Sequence, residues 1–400
     1  MLSVSHRGKI MPASPIRKLV PYAEAAMSRG IKIYHLNIGQ PDIETPPQIL
    51  EAVRSSTFKV LEYSHSAGNE SYRRKLVEYY RSVNINVDHT EIIITTGGSE
   101  AILFGFMSCL DAGDEVIIPE PFYANYNGFA VAADVVVKPI RSTIETGFAL
   151  PPMEEFEKII TERTKAIVIC NPNNPTGYLY SKEEMEVLKT LIKKHNLYLF
   201  SDEAYREFCY EGEHFSAMQL EGAEENIILM DTISKRYSAC GARIGALVTH
   251  NKEVLQTVMK FAQARLSPPE FGQILGEAAV DLPADYFKKP KAEYQLRRDT
   301  IVKRLNNIPG VFCPVPGGAF YVMASLPIDD TDIFCQWLLE SFNYKGATVM
   351  LAPATGFYGT EGLGKKEVRI AYVLNVAAIN EAMDCLEKAL EVYPGRQLPK

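Results

Sequence analysis

The sequence predicts an α/β fold: a large domain whose mostly parallel central sheet is sandwiched by helices, plus a smaller α+β domain built from both chain ends. Three observations predict it. Short apolar runs alternate with helical stretches between Glu91 and Val248. Several of these runs lack polar alternation, which suits strands covered on both faces. After Leu282 the texture changes to a long charged helical stretch and then to mixed segments. The expected division is 1–44, an N-terminal arm and part of the small domain, 45–282, the large domain, and 283–400, the small C-terminal domain. No linker, repeat or low-complexity tract marks the boundary near 282, only the change of pattern.

In chain order, residues 1–16 hold two prolines and no periodicity, and read as an extended arm rather than a helix, of the kind that lies on a neighbouring subunit. Residues 17–29 are helix-like and 31–36 strand-like, ending in NIGQPD, where Gly39 and Pro41 mark a turn. The run 92–94 leads through TTGG into a helical SEAILFGFMSCL. Further strands are expected at 115–118, 134–137, 166–169, 197–200, 227–230 and 245–248. Beyond the helix of 284–306 come a strand-like FYVMASL, a helix over 332–342, a strand-like VRIAYVL and an amphipathic helix over 377–392.

A chain of 400 residues, 46% hydrophobic, has room for two or three domains and a buried ligand site. Its net charge of -7 comes without acidic or basic blocks, so neither nucleic acid nor an anionic membrane is an expected partner. The seven cysteines form no CxxC pair, which argues for reduced thiols and against a zinc knuckle; no metal is expected, and Cys170 and Cys240 read as small buried side chains. His6, Arg7 and Lys9 interrupt the N-terminal apolar character, and no run approaches the roughly 18 apolar residues of a membrane span, so the cytoplasm is the expected location.

The chemistry centres on DTISKRYSACGARIG, 231–245. Here Lys235 is flanked by hydroxyls on Thr232, Ser234 and Ser238 and followed by Arg243. A buried lysine is a poor cation and a good amine, able to bond an aldehyde, while hydroxyls and an arginine suit a phosphate ester. Together they suggest pyridoxal phosphate. The TTGG turn adds a helix N-terminus, whose free N–H groups make an anion site. NPNNPTG presents Asn174 after one strand, and SDEAY delivers Asp202 and Tyr205 after the next. A carboxylate at the end of an apolar strand needs a cationic or N–H partner, a role the pyridinium nitrogen would fill.

These motifs, with YSHSAGNESYR, PFYANY, PGGAFY and EVRIAYVLN in the same order, resemble the class I pyridoxal-phosphate aminotransferases of the aspartate aminotransferase fold, over nearly the whole chain. The resemblance implies that 45–282 binds the cofactor, that Lys235 carries it covalently and that Asp202 keeps its ring nitrogen protonated. It implies further that Asn174 and Tyr205 bond the phenolic oxygen and that Tyr123 stacks on the ring. The phosphate falls to Gly98, Ser99, the neighbouring Glu100, Thr232, Ser234 and Arg243, with Tyr63 reaching in from the partner of a homodimer. Arg369 grips the substrate α-carboxylate beside the backbone of Gly39 and Asn174. The implied reaction moves an amino group from an L-amino acid, aspartate first, to a 2-oxo acid, 2-oxoglutarate, with ping-pong kinetics. Aromatic or alanine donors come next.

Two features depart from the family pattern. Thr232 stands where Ser or Gly is usual and keeps the hydroxyl. Some aspartate-using relatives carry a lysine directly after the glycine turn to meet the distal carboxylate, whereas this chain has Ser99 and Glu100. Arg17 and His65 are the other cations considered for that task, against a surface or core role for each. A lyase or racemase on the same scaffold is the nearest alternative. A ligand-sensing regulator would need a DNA-binding domain before NIGQPD, and no basic recognition helix precedes it.

Overall fold

The computed structural model describes residues 2–397; Met1 and residues 398–400, the ends of the expected first and last segments, lie outside the described residues. The strands, in chain order, are β1 (Lys32–His35), β2 (Ile92–Thr95), β3 (Glu115–Glu120), β4 (Val136–Arg141), β5 (Thr164–Cys170) and β6 (Tyr198–Asp202). They continue as β7 (Ile227–Thr232), β8 (Gly245–Val248), β9 (Tyr321–Ser325), β10 (Ala347–Met350), β11 (Ala352–Pro353) and β12 (Glu367–Ala371).

Seven of them form one sheet in the order β2-β8-β7-β6-β5-β3-β4, and only β8 runs against its neighbours. Strands β2, β7 and β8 are buried at every position, as expected of a sheet with helices on both faces, and this is why their sequences are apolar up to the polar residues Thr95, Asp231 and Thr232 that end β2 and β7. Strand β4 closes one edge and carries Lys138 and Pro139, residue types that blunt an edge against further pairing. The register sets Cys170 beside Asp202 and Asp202 beside Met230, so β5 and β6 end together and β7 runs on only to Thr232. Polar residues that follow these strands therefore meet at one rim, the usual ligand side of a parallel sheet.

The remaining strands form two small sheets that join both ends of the chain. β1 pairs in parallel with β10, and β12 lies between β11 and β9. Leu36, just after β1, accepts from Ala371 N–H at 2.7 Å, which ties the NIGQPD turn to β12. Arg369 sits in the middle of β12, so this tie brings the turn and the arginine together. Lys288–Asn306 and Val376–Val392 are the long helices of this part.

The N-terminal expectation needs correction. His6–Ile10 is a short helix, because Ser5 Oγ accepts from Gly8 N–H and caps it. It lies by helix Asn125–Ala133 of the same chain, where Arg7 reaches Asp134 at 3.4 Å. No helix among the described residues is long and apolar enough to cross a membrane.

Candidate active site

A cavity of about 490 Å³ opens where β5, β6 and β7 end and where β12 and the NIGQPD turn approach them. Gly39, Gly98, Ser99, Tyr123, Asn174 and Asp202 line it, as do Tyr205, Thr232, Ser234, Lys235, Arg243 and Arg369. Glu100, expected at this chain's own phosphate end, and His65, considered for the distal carboxylate, do not line the cavity.

One end of the cavity is built for an anion. Helix Gly97–Cys109 begins there and supplies the free N–H groups of its first turn. Thr232 Oγ1 and Ser234 Oγ are 2.8 Å apart beside it. The Arg243 guanidinium packs so closely on Gly97 that a Cβ on that residue would lie 2.4 Å from Nη2, and Gly97 also has a φ of +74°. Glycine is required there on both counts.

At the other end Arg369 is buried, with Nη1 donating to Asn174 Oδ1 at 3.1 Å and Nη2 to the Asn37 carbonyl at 2.5 Å. Its Nε has no partner, and no carboxylate faces it among the described residues. The guanidinium carbon lies 4.7 Å from the centroids of both the Tyr321 and Phe357 rings. Burial holds its pKa below the ordinary arginine value. A buried guanidinium with a free donor is a receptor for a carboxylate.

Between these ends lie the amine, the acid and the phenols. Lys235 Nζ donates to the Gly39 carbonyl at 2.9 Å and lies 3.8 Å from Cys240 Sγ. Asp202 accepts from Tyr126 Oη at 3.0 Å and from Ala204 N–H at 3.2 Å. Burial pushes its carboxyl up to about 6, against the pull of those two donors, and it has no ion pair among the described residues. Tyr205 Oη is 2.9 Å from Tyr321 Oη and 3.5 Å from Asn174 Nδ2. Burial raises the Tyr205 phenol well above its ordinary value and Tyr123 to about 12, so both stay protonated at neutral pH.

Two sequence readings change here, those of Glu100 and Cys240. The Glu100 carboxylate accepts from Thr96 N–H at 2.7 Å and pairs with Arg265 at 2.8 Å, away from the cavity. A carboxylate in the first turn is drawn to the unpaired N–H groups and positive end of its own helix, and would repel a phosphate placed there. Tyr63, expected to serve the partner's site, is 79% exposed and does not line its own chain's cavity. Cys240 is only partly buried and faces the cavity amine, whereas Cys170 is buried as expected.

Sequence reasoning also missed Tyr126, Asn37 and Tyr321. Tyr126 follows Tyr123 at helical spacing in PFYANY, a signal that was available. Tyr321 ends the quoted PGGAFY, and its contact with Tyr205 depends on two sheets meeting, which no local pattern reveals.

Comparison with known proteins bears on this site. The family model "Aminotransferase class I and II" matches residues 31–385. The chain is 34% identical to an aspartate aminotransferase of Pyrococcus horikoshii, over 97% of each chain. It is 32% identical to aromatic-amino-acid aminotransferase 2 of Thermococcus litoralis, over 98% of this chain and 99% of that one. Among solved structures, the aspartate aminotransferase from Thermus thermophilus with maleate superposes with a TM-score of 0.88 at 30% identity, covering 98% of this chain and 100% of that one.

Proposed function

Because this chain belongs to the class I and II aminotransferase family and is an aminotransferase, we propose that it moves the amino group of an L-amino acid, aspartate foremost, to 2-oxoglutarate, with pyridoxal phosphate as cofactor. One observation carries this reading: the Lys235 amine, an Asp202 carboxyl without a cation and an Arg369 guanidinium without a carboxylate share one cavity.

The residues fit the cofactor. The anion end would take the phosphate, on Gly98, Ser99, Thr232, Ser234 and Arg243. Asp202, its carboxyl raised for want of a cation, would take the protonated ring nitrogen, and Asn174 with Tyr205 the phenolic oxygen. Tyr123 would face the ring and Lys235 would hold the aldehyde carbon. Bound pyridoxal phosphate would accept the amino group from the first substrate and pass it to the second, which makes the kinetics ping-pong.

Each protein group then has a definite task. Once the substrate amine has taken its place on the aldehyde carbon, the freed Lys235 Nζ, which lies 2.9 Å from the Gly39 carbonyl, would move the proton of the substrate Cα. Arg369 orients the substrate by its α-carboxylate, and its Nε is a donor not yet used inside the chain. The Tyr205 phenol stays protonated and would donate to the phenolic oxygen of the cofactor. An aromatic donor is the second reading, favoured by the likeness to the Thermococcus litoralis enzyme. The parts 45–282 and 283–400 with 1–44 would meet across the cavity, and two copies of the chain would form a homodimer, a reading supported by the exposed Phe58, Val60, Leu61 and Tyr63.

The test is a panel of amino acids offered with 2-oxoglutarate to wild type and to Lys235→Ala. Wild type treated with borohydride should carry the cofactor mass on the peptide containing Lys235. The variant should lose both that adduct and roughly 10²–10⁴-fold or more of its turnover. A variant that keeps the reducible adduct would overturn the assignment.

A further inference from the structure

We propose that Arg17 reads the second carboxylate of a dicarboxylic substrate, an inference that rests on the amino-transfer reading above and names the residue that sets its substrate class. Among the residues lining the cavity there are four cations, Arg17, Lys235, Arg243 and Arg369, and one carboxylate, Asp202. Three of the cations have a task in that reading. Arg17 has none, and among the described residues its guanidinium forms no ion pair or hydrogen bond within the chain.

The backbone around Arg17 is fixed although its side chain is free. Arg17 opens the short 3₁₀ turn Arg17–Leu19, and its N–H donates to Ser14 Oγ at 3.3 Å. Leu19 is buried, and Lys18 pairs with Asp332 at 2.5 Å. On the other side Pro15 packs on Gly356 so tightly that a Cβ there would meet it at 2.1 Å. Ile16 packs in the cluster of Phe357, the same ring that faces the Arg369 guanidinium at 4.7 Å. Arg17 therefore stands at the Arg369 end of the cavity, where the substrate binds, and not at the anion end near Arg243.

Within the chain itself, the other cations and positions considered for this task point elsewhere. Ser99 occupies the position directly after the glycine turn, and the Glu100 carboxylate is paired with Arg265 outside the cavity. His65 does not line its own chain's cavity, and its Nδ1 accepts from Ala67 N–H at 3.1 Å. A substrate held at its α-carboxylate by one guanidinium and at its distal carboxylate by another is fixed in direction as well as place. An arginine at the rim keeps its charge when a neutral side chain enters, so it discriminates by what it gains from the anion.

The experiment uses the cofactor-loaded enzyme, wild type, Arg17→Gln and Arg17→Lys. Calorimetric titration with succinate and with butyrate compares four-carbon acids that differ in the second carboxylate. Arg17→Gln should weaken succinate roughly 10- to 100-fold relative to butyrate, and should lower the ratio of kcat/KM for aspartate over alanine by a similar factor. Arg17→Lys should restore part of both. If the two acids weaken equally, or if neither the succinate affinity nor the donor ratio moves, Arg17 does not read the second carboxylate. Absence of amino transfer from every donor by the wild type would sink the underlying reading instead, and the succinate titration would still decide the role of Arg17.

Discussion

At the residue scale the cavity is governed by groups held away from their ordinary state, and Asp202 is the clearest. Its carboxyl is raised from the ordinary 3.8 to about 6, so the fold retains a proton that the unfolded chain has released. Stability then falls as pH rises through that window, and the loss is complete above 6, reaching at most about 3 kcal/mol for a fully dry site and less in an open cavity. Asp202→Asn should therefore leave the cofactor-free protein melting at the same or a higher temperature at pH 7.5, with the advantage gone below about pH 4. In the cofactor-loaded enzyme the same substitution should cut turnover far more than it weakens cofactor binding, because the partner of the ring nitrogen is lost. Uniform destabilisation of the cofactor-free variant across this pH range would show that Asp202 is a structural carboxylate. Asp202 was legible as a carboxylate at the end of an apolar strand, where burial demands a reason, and Lys235 as an amine among hydroxyls just after another, whereas Arg369 was reached through the family resemblance of EVRIAYVLN. The tight fit of Gly39 was not legible: a Cβ there would lie 1.7 Å from Tyr321 Oη, a contact between segments far apart in the chain.

At the element scale the segment carrying Lys235 is anchored from beneath by buried charge. Asp231 accepts from Arg236 Nη1 at 2.8 Å and from Tyr80 Oη at 2.9 Å, with Arg206 Nη1 at 3.5 Å. Burial alone would raise its carboxyl, but Arg236 and Arg206 outweigh it and hold the group below the ordinary range. Glu203, next to Asp202, takes Arg206 Nη2 at 3.0 Å. The ends of β6 and β7 are thus joined through two carboxylates and two guanidinium groups. Removing one member leaves an uncompensated buried charge, so Arg236→Met should cost roughly 3–5 kcal/mol, read as a lower urea midpoint. Adding Asp231→Asn should recover much of that loss, and strictly additive effects would refute the pairing. The strands themselves were legible wherever an apolar run lay between turn residues. The run 134–137 was misplaced at its start, because Asp134 takes a φ of +62° to end the preceding helix and β4 begins at Val136. β10 and β11 went unread, since the first depends on pairing with β1 at the opposite end of the chain and the second is two residues long.

At the scale of the whole molecule, a band of apolar side chains has no cover. Val60 is 68% exposed, Leu61 53% and Tyr63 79%, while Phe58 meets the half-exposed Phe271 edge-on at 5.9 Å between ring centroids. A patch of this kind marks an association surface, and a two-fold axis lets one patch serve both partners. Tyr63, absent from its own cavity wall, would then complete the phosphate end of the partner's site. This arrangement gives a genetic test. Lys235→Ala and Tyr63→Ala homodimers should each be nearly inactive. In a dimer of one chain of each kind, one site has the intact Lys235 of the Tyr63→Ala chain together with the intact Tyr63 of its partner. Random assortment of equal amounts makes half the dimers mixed, each with one sound site of two, so about a quarter of wild-type activity should return on co-refolding. If Tyr63 served its own chain, each site of the mixed dimer would still lack either the lysine or the tyrosine, and activity would stay at the average of the two parents.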